Sequence, residues 1–486
     1  MAVSPARAAA FDILLRVEQQ DAYASELLHS SRFAKLSPQD HGLTTELVMG
    51  VLRWRSLLDV EIASASSQKL EKLDIEILIA LRLAAYQLMF LERVPDRAVV
   101  NESVELVKRA RKRSAAPFVN AVLRRLANKT SAAKAGFDTQ PAATLKRRPT
   151  QKRPTQNRPT QNRPSQNRPS QNRSTQNLSG EAQVAEAKTE PELSHASAHP
   201  IWLVKRWTKQ FGYEAAKQVC IYDQQVPESS IHLHAENELA EVKLSPGKLL
   251  RSARRVHHGS FANVRDPRPD GIHIQDEASQ LVALLAGKGS NILDCCAAPG
   301  GKTRILASRN PRATVVAVEL HPHRARLLQR LVPAQNVRVI VADVRALPIS
   351  ASFDRVLVDV PCSGTGTLAR NPEIKWKLKP SDLIEFHELQ LSILQSAMQN
   401  VAPGGRLVYS TCSLEPEENQ GVVEKAVSAD ASFRITECRA ELEKLQLDGE
   451  LLWKDLGSIT SGPYLRTIPG VHPCDGFFAA ILEKKV

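Results

Sequence analysis

One stretch constrains this chain more than any other: Ile292-Leu293-Asp294-Cys295-Cys296-Ala297-Ala298-Pro299-Gly300-Gly301-Lys302-Thr303. An apolar run too short for a buried helix breaks at Pro-Gly-Gly and then enters a helical pattern. That is the strand–turn–helix opening of an open α/β sheet, in which ligands bind beyond the carboxyl ends of the strands. Glycines in such a turn let backbone N–H groups approach a ligand with no Cβ in the way. Two phosphate-binding readings fail on spacing. A G-x-x-x-x-G-K-[ST] loop would need a glycine where Cys296 stands, and a G-x-G-x-x-G run is absent.

The following strands fit a ligand that carries a ribose. The run Ala313 to Glu319 ends in an acid roughly 20 residues past the glycines, where a carboxylate accepts hydrogen bonds from ribose hydroxyls. A helical segment, His323 to Val332, leads to a third strand, Val337 to Asp343, again ending in an acid. A fourth, Phe353 to Asp359, runs into Pro361-Cys362. Each strand delivers a functional side chain at one edge of the sheet.

At 486 residues with 42% apolar content, the chain is long enough for several separate cores. No apolar run approaches the ~20 residues that span a bilayer. The opening Met1-Ala2-Val3-Ser4-Pro5-Ala6-Arg7 has no apolar segment of signal-peptide length, and seven cysteines, an odd number, do not make a disulfide framework. A cytoplasmic protein with no membrane association is expected. The net charge of +13 suggests nucleic acid, but residues 141–180 hold nine Lys/Arg and no acid, whereas residues 181–486 hold 36 bases and 36 acids. Local clusters therefore carry more information than the total.

Residues 1–138 read as all-helical, with apolar positions such as Phe11, Leu14, Leu15 and Val17 at helical spacing. The segment Ile75 to Leu91 is apolar nearly throughout, which suits the centre of a bundle. Beyond it lie Asn101-Glu102-Ser103-Val104-Glu105-Leu106-Val107-Lys108 and Phe118-Val119-Asn120-Ala121-Val122-Leu123-Arg124-Arg125-Leu126. On these stretches the front of the chain resembles the NusB-like domain, a helical RNA-binding fold. Lys108, Arg109, Arg111, Lys112 and Arg113 are its candidates for phosphate contacts; a solvated helix end is the competing reading. Residues 139–199 are expected to be a tether. A five-residue repeat runs six times, from Arg148-Pro149-Thr150-Gln151-Lys152 to Arg173-Ser174-Thr175-Gln176-Asn177, and supplies no core. Residues 200–270 read as a small mixed subdomain that binds RNA, with a basic cluster of Arg251, Arg254, Arg255, His257 and His258. The two histidines lack a second ligand pair, so no metal is expected.

Residues 271–486 carry two further motifs. Asp359-Val360-Pro361-Cys362-Ser363-Gly364-Thr365-Gly366-Thr367-Leu368 and Tyr409-Ser410-Thr411-Cys412-Ser413-Leu414-Glu415-Pro416-Glu417-Glu418-Asn419 each follow an apolar strand and place a cysteine among turn-forming residues. A lone cysteine is usually a small buried hydrophobe. Two, at neighbouring strand ends beside a nucleotide-type site, point to chemistry at a pyrimidine. Cytosine C5 is too weak a nucleophile to accept a methyl group unaided. A thiolate adding to C6 breaks the ring's aromaticity and puts electron density on C5. The base must first leave its stack.

Together these motifs resemble the RNA cytosine-5 methyltransferases of the Nol–Nop–Sun family, over residues 1–138 and 200–486. The closing Cys474 to Leu482 is similar to the family's last strand. The resemblance implies an all-α NusB-like domain followed by an α/β Rossmann-like methyltransferase domain, multidomain overall and acting as a monomer. It implies S-adenosylmethionine held by Cys296, Ala297, Ala298, Pro299, Gly300, Gly301, Lys302, Glu319, Asp343 and Asp359. It makes Cys412 the nucleophile, Cys362 the residue that assists release and Asp359 a partner of the base edge. The substrate implied is small-subunit (16S) ribosomal RNA. DNA cytosine methyltransferases use the cysteine of the Pro-Cys motif, so the presence of both motifs argues for RNA. Glu319 stands where the family usually has Asp, and Ile231 to Asn237 depart from the family's usual strand there. Cys295 is read as core. Two alternatives stay open: the same chemistry on transfer RNA, and a non-catalytic RNA-binding or antitermination factor.

Overall fold

A computed structural model of the chain describes residues 3–20, 22–28, 30–33, 35–137, 184–232, 244–256, 273–347 and 352–486. The front of the chain is a helical bundle of α1 (Pro5–Gln19), α2 (Ala24–Leu28), α3 (Pro38–Ala65), α4 (Ile75–Phe90), α5 (Asp96–Arg109) and α6 (Ala116–Phe137). The apolar α4 lies at its centre, as its composition requires, with Ile79, Leu81 and Leu83 fully buried. Each such side chain contributes about 1.5–3 kcal/mol by leaving water. Gly50 on α3 gives Tyr86 its place, since a Cβ there would stand 2.0 Å from the ring. The one cation that α4 buries, Arg82, is held by Asp59 at 2.7 Å and Glu18 at 3.4 Å, as a desolvated charge demands.

The repeat tract itself, at 148–177, lies outside the described residues, but the expected tether is cut short at its far end. Residues 190–196 form a helix whose N-cap is a reciprocal Thr189–Glu192 capping box. Val184, Leu193 and Ala196 are buried, packing with Trp207 and Val204 of the helix Ile201–Phe211, while the buried Ala198 joins the core of the bundle. The composition of 184–199 is polar enough to pass for linker, and only the burial of its few apolar residues shows otherwise. A third helix, Tyr213–Gln224, precedes a small antiparallel sheet ordered β2-β3-β1-β4, from β1 (Ser229–His232), β2 (Leu244–Pro246), β3 (Ala253–Val256) and β4 (His273–Ile274). The small sheet thus draws its last strand from beyond residue 270. Arg255 on β3 is paired with Glu228 at 2.9 Å, while His257, His258 and 233–237 lie outside the described residues.

The large sheet is built from β5 (Asn291–Cys295), β6 (Thr314–Glu319), β7 (Val337–Val341), β8 (Phe353–Asp359), β9 (Val401–Thr411), β10 (Phe433–Thr436), β11 (Thr460–Ser461), β12 (Tyr464–Arg466) and β13 (Phe478–Lys484). Its order is β7-β6-β5-β8-β9-β13-β12-β11, with β10 also paired to β13. The strands β7 through β9 are parallel; β13 runs antiparallel to β9, with Phe478 opposite Thr411. The order reverses between β5 and β8, which makes their carboxyl ends the topological switch point where ligands bind. Alternate residues of one strand feed cores on opposite faces, Ile292 on one side and Leu293 on the other, as expected of a covered parallel sheet.

The bundle, the 184–224 helices and the large domain meet at one polar junction. Lys375 donates to the carbonyl of Arg53 at 2.9 Å, Arg53 donates to the carbonyl of Ala369 at 3.1 Å, and Ala24 N donates to Glu373 at 2.7 Å. Burial there pushes the Lys375 ammonium down to about 7 and the Asp223 carboxyl up to about 8.

Candidate active site

The turn after β5 is tighter than its composition alone conveys. Cys296 takes φ +59° and Gly300 φ +113°, and the Ala298–Pro299 peptide is cis. Gly300 is also the N-cap of the helix Gly301–Arg309. A Cβ at Gly300 would meet Leu328 at 2.5 Å and Val332 at 2.6 Å. That glycine therefore lets the next helix pack against the turn. Ala297 is buried and its N–H donates to Val318 O at 2.8 Å, which locks the turn to β6. Burial raises the Cys296 thiol to about 12 and pushes Cys295 up as well. Cys295 is fully buried core, as read.

The remaining candidates line the carboxyl edge in register. Glu319 ends β6, 3% exposed, with Oε1 accepting from His321 N at 2.9 Å. Asp343 follows β7 and is engaged by its near neighbour Arg345 at 2.6 Å, whose hydrogen bonds hold its carboxyl below the usual carboxylate range. Asp359 ends β8, and its two oxygens reach both ways: Oδ2 to Lys302 Nζ at 2.7 Å, Oδ1 to Ser410 Oγ at 2.7 Å. Beneath them Asp294, 1% exposed, accepts from Thr303 Oγ1 at 2.6 Å, and burial raises its carboxyl to about 7.

The expectation that the two cysteine-bearing strand ends are neighbours is met by the parallel β8–β9 pair, where Asp359 lies opposite Ser410. Past that ladder the thiols of Cys362 and Cys412 stand 3.2 Å apart, both partly buried and unbridged. The hydrogen bond to Cys412 and burial push the Cys362 thiol well up. At that distance either sulfur can donate its S–H to the other. Lys302, Asp359, Ser410 and the two cysteines are brought together. Glu319 and Asp343 stand along the same edge and make their side-chain hydrogen bonds to near neighbours in sequence.

Four polar residues bear on this geometry and carry no clear sequence signal: Asp294, Ser410, Gln390 and Glu418. Asp294, Ser410 and Glu418 sit inside the motifs and Gln390 on the helix Asp382–Gln399; Ser410, Gln390 and Glu418 depend on partners distant in the chain, and Asp294 on Thr303 nine residues on. Of the basic candidates in the bundle, Lys108 is paired with Glu105 at 2.7 Å and Lys112 with Asp74 at 2.9 Å, while Arg109 and Arg113 share a recess with Val3. Among the described residues no group of three or more His, Cys, Asp or Glu side chains is arranged to hold a metal, and no helix is long and apolar enough to cross a membrane.

Comparison with known proteins agrees with this geometry. Residues 281–483 match the family described as 16S rRNA methyltransferase RsmB/F, and residues 4–128 match the NusB family. The chain is 30% identical to the probable ribosomal RNA small subunit methyltransferase B of Bacillus subtilis, covering 98% of each. It is also 30% identical to the ribosomal RNA small subunit methyltransferase B of Vibrio cholerae, covering 99% of this chain and 97% of that one. The fold is shared with the crystal structure of PH0851, with a TM-score of 0.69 at 21% identity over the whole of both chains. The cofactor of such a methyltransferase is S-adenosylmethionine, and the donor set fits it. A carboxylate ends β6, the neighbour of the switch-point strand β5, a second follows β7, and the tight turn after β5 is bound to β6 through Ala297 N and Val318 O. Identity of this size along the full length settles the relationship: the chain belongs to the RsmB/F family of 16S rRNA methyltransferases, with NusB-type helices as its front domain.

Proposed function

We propose that the protein methylates C5 of a cytidine in small-subunit ribosomal RNA, in the cytoplasm, through a covalent adduct between Cys412 and C6 of the base. The observation that carries this reading is the thiol pair, 3.2 Å apart at the ends of β8 and β9. A pair of cysteines in contact without a bridge suits a nucleophile and a partner that acts on the same base. S-adenosylmethionine supplies the electrophilic methyl group when bound along the Glu319 and Asp343 edge.

Cys412 attacks C6 as the thiolate, and the ring's C5–C6 π electrons move to make C5 nucleophilic. A hydrogen bond from the Cys362 S–H stabilises the attacking sulfur before addition. Asp359, fixed from both sides by Lys302 and Ser410, hydrogen-bonds the base edge and steadies the adduct. After methyl transfer a general base takes the C5 proton, the C5–H electrons re-form the C5–C6 double bond, and Cys412 leaves as thiolate; Cys362 assists this release. The NusB-type bundle, with Arg109 and Arg113 at its recess, supports RNA binding through phosphates.

The two cysteines separate in one experiment. Cys412→Ala should abolish methyl transfer, by on the order of 10³-fold or more, while calorimetry shows S-adenosylmethionine binding intact. Cys362→Ala should form the adduct and release it poorly, so that the protein carries RNA through a denaturing gel. The band should vanish in the double mutant. An inverted pattern, with RNA trapped by Cys412→Ala, would transfer the nucleophile's role to Cys362. Bisulfite sequencing of total RNA, with and without the protein, locates the cytidine; protection in transfer RNA instead of 16S RNA would overturn the substrate.

A further inference from the structure

The carboxylate of Glu418 is fully buried between the two cysteine loops. Its Oε2 accepts from the backbone N–H of Ser363 at 2.8 Å and from Gln390 Nε2 at 2.8 Å. Its Oε1 accepts from Ser413 Oγ at 2.5 Å and from the hydroxyl of Ser363. All four partners can donate, so the group is satisfied as an ionised acceptor. Burying a charge is costly unless hydrogen bonds replace the lost water, and here four do so.

The positions of these partners matter more than their number. Ser363 is the residue after Cys362, and Ser413 is the residue after Cys412. The two hydroxyls also lie 3.0 Å from each other. The β8–β9 ladder ends at the pair Asp359–Ser410, so beyond it nothing in the sheet holds the loops in register. Gly366 N to Cys412 O, at 2.9 Å, and Leu414 N to the Thr365 hydroxyl, at 2.9 Å, lace the same two loops farther out.

We propose that Glu418 is the positioning residue of the cysteine pair: by gathering the residue after each cysteine onto one carboxylate, it sets the separation of the two thiols. The proposal rests on the roles given above to Cys362 and Cys412. Cys362 hydrogen-bonds the sulfur that attacks C6 and assists its release, so the two thiols must stand in contact. Displacing either loop by about 1 Å takes one sulfur out of reach, a misplacement that costs on the order of 10²-fold in rate.

The separation is measurable without catalysis. Full-length wild type, Glu418→Ala, Glu418→Gln and Ser413→Ala are treated with diamide, in the absence of RNA and cofactor. Two thiols give up two hydrogens, the azo compound becomes the hydrazine, and the sulfurs join. Peptide mass spectrometry quantifies the Cys362–Cys412 link. Wild type should link fastest, and Glu418→Ala and Ser413→Ala at least about tenfold more slowly, as loops freed of their tether sample wider separations. Glu418→Gln should stay close to wild type, because the two hydroxyls can turn and accept from the amide. In RNA methylation kcat should fall in the same order, with KM for S-adenosylmethionine unchanged. If Glu418→Ala fails to fold by circular dichroism, Ser413→Ala, which removes one hydroxyl, decides. Unchanged linking in the folded variants overturns the proposal, as does a KM that rises in step with the fall in kcat. Should the linking rates behave as expected while wild type methylates no cytidine, the roles given to the cysteines fall and the positioning of the thiols stands.

Discussion

The two halves of the large sheet are held in different ways. In the half that faces the cofactor, the polar contacts are local: Asp294 with Thr303 nine residues on, Glu319 and Asp343 each with a partner two residues on. In the half that carries the cysteines, the contacts join loops about fifty residues apart: Asp359 with Ser410, Cys362 with Cys412, and Ser363 with Glu418 at separations of 51, 50 and 55. A local contact forms as soon as its own turn forms. A distant one exists only when β8 and β9 pair, so the chemistry of the second half depends on the fold being complete. Lys302 joins the halves, reaching from the turn after β5 to Asp359.

That joint offers the strongest way to break the comparison. Asp359→Ala removes the acceptor of both Lys302 and Ser410, and with it the proposed contact to the base. Methyl transfer should fall by about 10²–10⁴-fold, the range of a positioned proton-handling group, with the far-ultraviolet spectrum unchanged. A loss of less than tenfold would mean that the two halves act independently and that Asp359 does not touch the base.

Asp294 tests the buried layer beneath the edge. Its carboxyl is raised from 3.8 to about 7, chiefly by burial, with the Thr303 hydrogen bond opposing the rise. A carboxyl whose folded value lies above its unfolded value binds a proton more tightly in the native state. Its penalty is absent below pH 4, grows as pH rises through the window from about 4 to 7, and is complete above it. At roughly 1.4 kcal/mol per unit this reaches up to about 4 kcal/mol. Asp294→Asn should therefore flatten the loss of stability across that window and be the more stable protein at pH 8, measured by urea unfolding. An unchanged slope would show that Lys302 and Thr303 keep Asp294 ionised throughout.

The difference between the halves also explains what the sequence made legible. The opening strand, turn and helix at 292–303, the acid ends of β6 and β7, and the adjacency of the two cysteine strands all follow from short-range pattern and from strand order. The buried roles of Glu418 and Asp294 do not, since a carboxylate reads as solvent-facing until its burial and its partners, Ser363 and Gln390 for Glu418 and Thr303 for Asp294, are placed. At Gly300 the missing Cβ also makes room for Leu328 of the next helix and its cap Val332, a contact between segments that the motif alone does not reveal. The helix 190–196 escaped notice because its burial rests on Trp207, outside its own polar segment. Cores made from within a segment, such as α4, are visible in sequence; contacts made across segments are not.

The smallest effects should come from the local side, and they sharpen the contrast between Glu319 and Asp343. Glu319 is buried and gives only one oxygen to a backbone N–H. Glu319→Ala should weaken S-adenosylmethionine by about 1.5–3 kcal/mol, the worth of a charge-assisted hydrogen bond. Asp343 differs, because both of its oxygens already accept hydrogen bonds from Arg345, at 2.6 and 3.0 Å, on a partly exposed loop. A cofactor donor there must share an acceptor or displace the arginine, and an exposed pair is weak enough that little is gained either way. Asp343→Asn should thus weaken the cofactor by no more than about fivefold by calorimetry, since the amide oxygen still accepts. A loss well beyond that would mean that Arg345 swings away on binding. The local contact would then be a resting arrangement, and the cofactor half would depend on its ligand as the cysteine half depends on the fold.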